Sequence, residues 1–302
     1  MKKNGGHLYR SQLGSLAHGR PLIDFLAQSF EHSSAAEWAE RIELGRVRIQ
    51  GKRAQAEQTL HAGELLEWER PPWVEPDAPV AFAILHEDDD LLAVAKPSGL
   101  PTLPGASFLE NTLLHAVRRY EPKASPLHRL GRFTSGLVLF ALRPAARSKL
   151  SSEWASRRIV KRYRALASGR AAGPQFEIDT PIGPIDYPPL GKLHAADPVQ
   201  GKESLSRVKL IEQRERDFLC EVEIATGRPH QIRVHLAAAA HPLVGDPLYV
   251  SGGRPAPACR ALPGDGGYLL HAESLRFTHP SSGREVTIRC SPPPRLRRGS
   301  LE

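Results

Sequence analysis

The chain has 302 residues, 40% of them hydrophobic, which is enough apolar material to bury two domain cores. Its formal charge of +8 favours a polyanionic partner such as nucleic acid. The three cysteines form no CxxC pair, no apolar run could cross a bilayer, and the basic N-terminus lacks the apolar stretch of a signal peptide. These features exclude a disulfide framework, a zinc cluster and a membrane protein, and they favour the reducing cytoplasm.

Residues 20–70 are predicted to form a compact αα-ββ unit. Leu22, Leu26 and Phe30 recur at helical spacing, and residues 34–37 (SAAE) have the capping-box pattern that opens a second helix. Gly45 is a plausible end for that helix. Alternating strands are then expected around residues 47–49 and 66–68.

The segment LGRVRIQGK at residues 44–52 resembles the G-x-V-x-V-N-G-K motif of S4 RNA-binding domains. The resemblance implies RNA contacts from Arg46, Lys52 and Arg53. Two positions depart from the family pattern: Gln50 replaces the usual asparagine, and Ala35 stands where an arginine is usual. We therefore expect an S4-like domain over residues 1–70 (core 20–70) with one phosphate contact missing. A helix that ends at a glycine before a charged hairpin also occurs in unrelated folds.

Residues 71–79 (PPWVEPDAP) are too rich in proline for a helix or a central strand and are predicted to be a linker. A second domain is expected over residues 80–290, followed by a loose basic tail at 291–302. Strands are predicted at 81–86, 91–95, 137–142, 159–167 and 217–225, and helices at 111–120, 144–158 and from Pro229 onward. This irregular alternation predicts an α+β fold. Between residues 143 and 170 nine basic side chains face one acid, as expected of a surface that meets phosphates.

Three motifs in the second domain carry a more specific signal. Residues 128–136 read HRLGRFTSG, residues 159–165 read IVKRYRA, and residues 226–236 read TGRPHQIRVHL, with HPLVGDPLY following at 241–249. In this order they resemble the HRLD-x-x-TSG, V-x-K-x-Y-x-A and TGR-x-HQIRVHL motifs of the RluA family of RNA pseudouridine synthases. The resemblance implies the family's catalytic fold with a central mixed β-sheet, and isomerisation of uridine to pseudouridine in ribosomal or transfer RNA.

This reaction breaks the N1–C1′ glycosidic bond, turns the uracil and joins C5 to C1′, so it needs no cofactor. The base must first leave its stack, which costs a few kcal/mol. The resemblance assigns Arg129 to the gap left by the flipped base, Tyr163 to the uracil and its C5 proton, and Arg233 to the catalytic carboxylate. The expected site is therefore Tyr163, Arg233 and position 131 for catalysis, with Arg129, Arg132, Lys161, His230, Arg46, Lys52 and Arg53 for RNA binding.

One letter of the first motif contradicts the family pattern, because Gly131 stands where the catalytic aspartate is expected. Arg233 would then lack its partner, and another group must compensate its positive charge. Another carboxylate could reach the site, with Asp186, Asp197 and residues 88–90 as candidates and Asp246 as a weaker one. Alternatively, the chain is a non-catalytic RNA-binding or RNA-remodelling protein on the same scaffold, or the glycine is engineered. Because Arg129, Tyr163 and Arg233 are all present, we expect activity to be retained.

A metal site is not expected from the histidines of these motifs, His128, His230, His235 and His241. Their spacing lacks a paired H-x-x-x-H with an acidic ligand in register. The TSG segment also lacks the G-x-S-x-G elbow of a hydrolase, so Thr134 and Ser135 are expected to anchor a turn.

Overall fold

The structure is a computed structural model, and it describes residues 3–30 and 32–299. The helices are α1 Leu22–Ser29, α2 Ala35–Glu43, α3 Leu113–Tyr120, α4 Pro144–Ala155 and α5 Gln231–Ala238. The strands are β1 His7–Gln12, β2 Val47–Ile49, β3 Lys52–Arg53, β4 Leu65–Arg70, β5 Ala83–Glu87, β6 Leu91–Lys96, β7 Ser125–Pro126, β8 Ser135–Ala141, β9 Val160–Ser168, β10 Gln175–Ile178, β11 Ile182–Tyr187, β12 Gly191–Ala196, β13 Ser206–Gln213, β14 Asp217–Ile224, β15 Tyr249–Val250, β16 Arg254–Pro255, β17 Leu270–Thr278 and β18 Glu285–Arg289.

The chain divides into two compact units, the first running through Glu75 and the second beginning at Pro76. The division falls inside the proline-rich stretch at 71–79. No described helix has the length and hydropathy needed to span a membrane.

The first unit packs α1 and α2 on an antiparallel sheet of order β1-β4-β2-β3. The predicted capping box is confirmed, since the Ser34 side chain and the Glu37 side chain each bond the other's backbone N–H. Gly45 follows α2 with φ +69°, a conformation that glycine adopts without a Cβ penalty. The helix pair and the hairpin are as predicted, whereas β1 was missed.

The larger unit contains a ten-stranded mixed sheet whose main path is β10-β13-β14-β9-β17-β8-β6-β5. Strands β8 and β17 are parallel, and the other neighbours pair antiparallel. The predicted α+β class with a central mixed sheet is confirmed. The run at 137–142 forms most of β8, and its residues 137–141 are almost fully buried, as expected of a strand covered on both faces.

The predicted start of the helix in the third motif was wrong. Helix α5 begins at Gln231, after His230 in the left-handed conformation (φ +56°), so Pro229 lies before the helix and not in its first turn. Gln231 explains this start, because its amide oxygen accepts bonds from the Thr226 hydroxyl at 2.7 Å and the Arg228 N–H at 3.0 Å. The helix is buried from Gln231 to Ala237, and Arg233 is 3% exposed.

The C-terminal segment was expected to be a loose basic tail, and this is incorrect as far as residue 299. Leu296 is 1% exposed and packs against Leu166 and Leu219. The Arg214 guanidinium donates to the carbonyl of Arg297 at 3.0 Å, and Glu212 accepts from the Gly299 N–H. A single apolar anchor and an arginine clamp therefore hold this segment against the sheet.

Candidate active site

A cavity of about 130 Å³ opens beside the middle of the large sheet. Its walls come from the loop before β8, from β9, from the end of β14, from the start of α5 and from the chain leading into β17. The lining residues are Arg129, Leu130, Gly131, Thr134, Tyr163, Ile224, Arg228, His230, Gln231, Ile232, Arg233, Pro263, Tyr268 and Leu270.

Five of the residues predicted from three separate motifs meet in this cavity. They are Arg129, Gly131, Tyr163, His230 and Arg233. The sheet order accounts for the meeting, because β9 lies between β14 and β17, and β17 pairs with β8. Segments that are up to 104 residues apart in sequence are thereby brought to one place.

Tyr163 is held by the centre of the sheet. It lies opposite Val222 of β14 and Ala272 of β17, and it packs against the buried apolar residues around them. Burial raises the pKa of its phenol to about 12. Tyr163 is therefore a neutral aromatic wall at physiological pH.

The positive charge of Arg233 is compensated by the carboxylate of Asp246. Its Nε lies 2.7 Å from Asp246 Oδ2 and its Nη2 lies 2.8 Å from Asp246 Oδ1, a bidentate ion pair. The side chains are 3% and 1% exposed. Burial alone would lower the pKa of Arg233, but the hydrogen bonds that it donates to Asp246 raise its pKa above the ordinary value. Arg233 is thus a fixed cation at the back of the cavity.

Two tyrosine rings flank this guanidinium. The Arg233 Cζ lies 4.2 Å from the ring centre of Tyr268 and 5.1 Å from that of Tyr249. Its Nη1 also donates to the Pro263 carbonyl at 3.1 Å. The orientation of Arg233 is therefore set by its neighbours before any substrate enters.

His230 stands at the start of α5 and is held neutral. Burial, with the nearby charge of Arg233, lowers its pKa to about 4. The Tyr249 hydroxyl donates to the His194 carbonyl at 2.6 Å, so its oxygen accepts from His230 Nδ1, 2.7 Å away. This assigns the proton to Nδ1 and leaves Nε2 as an acceptor.

Gly131 brings no functional group, and its neighbours fill part of the space that a side chain would need. A Cβ added there would lie 3.0 Å from Tyr268 Oη and 3.4 Å from Thr134 Oγ1. The cavity-lining residues include no aspartate or glutamate.

The substitute carboxylates considered from the sequence do not line the cavity. Asp186 is exposed and pairs with Lys192, and Asp197 accepts from the N–H groups of Val199 and Gln200. Residues 88–90 form the turn between β5 and β6, and they too lie outside the lining set. Asp246 was ranked as the weaker candidate, yet it is the one that pairs with Arg233.

Two RNA contacts predicted in the larger unit lie outside the cavity lining. Lys161 is 5% exposed and donates from Nζ to the Thr226 carbonyl at 3.1 Å, and burial lowers its pKa. Arg132 donates to the Gly99 carbonyl at 3.0 Å and stacks over Phe108 and Phe133. Both side chains therefore have structural partners.

Arg46, Lys52 and Arg53 belong to the first unit. Lys52 and Arg53 are exposed on β3, and Arg53 donates to the Glu43 carbonyl at the end of α2.

Sequence reasoning missed Tyr268, Arg228 and Pro263. Tyr268 is an aromatic residue placed between the glycine-rich segment 264–267 and the apolar start of β17. Such a residue usually belongs to a core, and its contact with position 131 depends on the tertiary fold.

A different cluster has the ligand types that a metal could use. Ligand atoms of Asp88, Asp90 and His279 lie within 4.8 Å of one another. Asp88 Oδ2 already bonds His279 Nε2 at 3.1 Å and His86 Nε2 at 2.7 Å, and Asp90 bonds Ser281. The cluster is outside the cavity and includes none of the four motif histidines.

The comparisons with known proteins agree with the three motifs at residues 128–136, 159–165 and 226–236. A family model described as RNA pseudouridylate synthase matches residues 90–238. An RNA pseudouridine synthase of Synechocystis is 41% identical over 277 residues, covering 91% of this chain and 95% of that protein. The chain belongs to the RNA pseudouridine synthase family. The family predicted from the motifs, the isomerase class and an RNA substrate are thereby confirmed.

Other relatives of this pseudouridine synthase extend the match. RNA pseudouridine synthase 5 of Arabidopsis thaliana is 38% identical, with 85% of this chain and 84% of that protein covered. Ribosomal large subunit pseudouridine synthase D of Xanthomonas campestris is 31% identical over 93% of this chain and 88% of that protein. Human RNA pseudouridylate synthase domain containing 1 has a TM-score of 0.57 at 27% identity, covering 73% of this chain and 87% of that structure.

Proposed function

We propose that this synthase isomerises a uridine of large-subunit ribosomal RNA, and that the cavity beside Tyr163 and Arg233 receives the flipped base. The observation that carries the proposal is the convergence of Arg129, Tyr163, His230 and Arg233, taken from three motifs, on one cavity. Relatives named ribosomal large subunit pseudouridine synthase D, from Xanthomonas, Yersinia and Escherichia coli, favour ribosomal over transfer RNA.

Arg129 is the residue that suits the flipping step. It is exposed at the cavity, and the structure records no ion pair for it within the described residues. A free guanidinium can stack on the bases left in the helix and contact the backbone. Arg129 therefore occupies the gap and offsets part of the unstacking cost of a few kcal/mol.

The remaining charges suit a nucleotide. Arg228 lines the cavity and is partly exposed, with Nε donating to the Glu203 carbonyl at 3.1 Å. Because Asp246 compensates Arg233, the uncompensated positive charge of the lining lies with Arg129 and Arg228. This arrangement attracts the phosphates that flank the base to the cavity rim.

Tyr163 and His230 bind the uracil inside the cavity. The neutral phenol of Tyr163 offers a flat apolar surface to the base, and the Nε2 of His230 is an acceptor for a uracil N–H. Tyr163 could remove the C5 proton only as a phenolate, and its raised pKa disfavours that form.

The first unit supplies a second RNA-binding surface in this proposal. Its helix pair and hairpin have the element order expected of an S4 domain, and Lys52 and Arg53 are exposed at the hairpin. Arg46 is partly exposed just before β2. These three cations contact phosphates, and they lower the dissociation constant without reading sequence.

Incubation with defined transcripts tests the proposal. Large-subunit ribosomal RNA and a pool of transfer RNA are treated separately, digested to nucleosides and chromatographed for pseudouridine. We expect pseudouridine in the ribosomal transcript. Its appearance only in transfer RNA would overturn the substrate, and salt-sensitive binding of both RNAs with no pseudouridine would favour the non-catalytic RNA-binding alternative.

A further inference from the structure

The isomerisation requires a group that acts at the ribose C1′ while the uracil is detached. The residues that line the cavity include no carboxylate, thiol or primary amine. Besides the imidazole of His230, which the proposed function assigns to the uracil, three hydroxyl groups remain, on Thr134, Tyr163 and Tyr268. A phenol is far more acidic than an aliphatic alcohol, so the choice lies between the two tyrosines.

Position favours Tyr268. Its Oη would lie 3.0 Å from a Cβ at position 131, so the hydroxyl occupies the space next to the missing side chain. Thr134 Oγ1 lies 3.4 Å from the same oxygen. The residue is only 4% exposed, which fixes the ring within the cavity wall.

Charge favours Tyr268 as well. The Arg233 guanidinium lies 4.2 Å from its ring centre, so a fixed cation faces the tyrosine that adjoins position 131. Within the described residues no cation lies over the ring of Tyr163.

We propose that Tyr268 is the nucleophile of this synthase and takes the part of the carboxylate that Gly131 lacks. This inference rests on the proposed function. Tyrosine forms covalent intermediates in other enzymes, and sialidases use a tyrosine in place of the usual glycosidase carboxylate.

The steps balance without a co-reactant. Tyr268 Oη forms a bond to C1′ as the C1′–N1 bond breaks, and the phenol proton passes to the departing N1. The neutral uracil turns so that C5 faces C1′. The C5–C1′ bond then forms as the tyrosyl C1′–O bond breaks, and the phenolate takes the C5 proton. Tyr268 is regenerated, and the former C5 hydrogen exchanges with water.

Tyr268→Phe tests this role with RNA labelled with tritium at C5 of uridine. The wild-type enzyme should release tritium, and Tyr268→Phe should release it at least roughly 10³-fold more slowly, as expected when a nucleophile is lost. Its RNA dissociation constant and melting temperature should stay close to wild type. Tyr120→Phe, whose hydroxyl contacts Glu87 away from the cavity, is the matched control and should keep full activity.

A second variant separates chemistry from packing. Adding Gly131→Asp to Tyr268→Phe places a carboxylate where the phenol oxygen was, because removal of Oη clears the 3.0 Å contact. This double variant should regain at least tenfold in rate over Tyr268→Phe, as expected if the carboxylate takes over the step that the phenol performs.

A Tyr268→Phe enzyme within tenfold of wild type, or a double variant no faster than Tyr268→Phe, would overturn the nucleophile assignment while the proposed function stands. A wild-type enzyme that releases no tritium would overturn both.

Discussion

Arg233 and Asp246 form a buried bidentate ion pair, with Nε–Oδ2 at 2.7 Å and Nη2–Oδ1 at 2.8 Å. Asp246 Oδ1 also accepts from the backbone N–H groups of Leu248 and Tyr249, at 2.9 and 3.2 Å. The carboxylate thus joins α5 to the turn that follows it. It holds Arg233 under Tyr268, and its side chain is only 1% exposed and does not line the cavity.

Asp246→Ala should therefore destabilise the protein strongly. The variant leaves Arg233 as an unpaired buried cation, and breaking such a pair costs about 3 to 5 kcal/mol. Urea unfolding measures the change in the free energy of unfolding. Asp186→Ala is the control, since its pair with Lys192 is exposed and worth about 1 kcal/mol or less. Equal effects of the two substitutions would contradict the structural role of Asp246.

Arg129→Ala should slow pseudouridine formation by roughly 10- to 100-fold, a loss of about 1.4 to 2.7 kcal/mol of transition-state stabilisation. The reason is that nothing then fills the gap left by the base. Arg132→Ala is the comparison, because this arginine stacks over Phe108 and Phe133 and is expected to affect thermal stability more than rate. Single-turnover kinetics on saturating RNA measure the rate constants of both variants. A larger rate loss in Arg132→Ala than in Arg129→Ala would argue against the cavity assignment.

Lys52→Ala should weaken RNA binding nearly equally for all sequences. A phosphate contact carries no base information, and its loss reduces the slope of log K against log salt by about 1. Fluorescence anisotropy at several salt concentrations gives this slope. Lys123→Ala, at an exposed lysine between α3 and β7, should leave it unchanged. An unaltered slope for Lys52→Ala would remove the first unit from the RNA-binding surface.

His235 should make the folded state sensitive to acid. It is 0% exposed, and burial lowers its pKa to about 4, despite the opposing hydrogen bond to the Thr180 carbonyl. The unfolded chain, with an ordinary pKa near 6.5, binds the proton first, so stability is lost as pH falls from about 6.5 to about 4.

In that window the stability difference between wild type and His235→Gln should shrink by about 1.4 kcal/mol per pH unit. Urea unfolding at half-unit pH steps follows this difference, with the exposed His115→Gln as the control. A difference that stays constant from pH 7 to pH 4 would show that His235 takes up no proton on unfolding.

Much of the fold could be predicted from local pattern. Apolar periodicity, helix caps and proline positions predict the helices α1 to α4 and strands such as β6, β8 and β14. Strand β1 could not be found this way, because all six of its residues are exposed and its pairing with β4 gives no apolar alternation. The segment between β9 and β14 was left unassigned, although β13 pairs with β14 through seven residue pairs and β10 forms the edge beyond it.

The site was predictable only where a motif carried it. Tyr163 and Arg233 were found through motif spacing, and the fold placed them in one cavity. Tyr268 was not found, since its proximity to Gly131 joins positions 137 residues apart. Asp246 was named only as the weaker candidate carboxylate, and its pair with Arg233 requires the turn after α5 to fold back on the helix.

This cavity is expected to convert uridine to pseudouridine in spite of Gly131. Release of tritium from RNA labelled at C5 of uridine tests it most directly, with pseudouridine counted in the same sample. We predict one tritium released for each pseudouridine formed, in the absence of added metal or cofactor. Tight RNA binding with no tritium above the protein-free control would contradict the claim and leave an RNA-binding protein on a synthase scaffold.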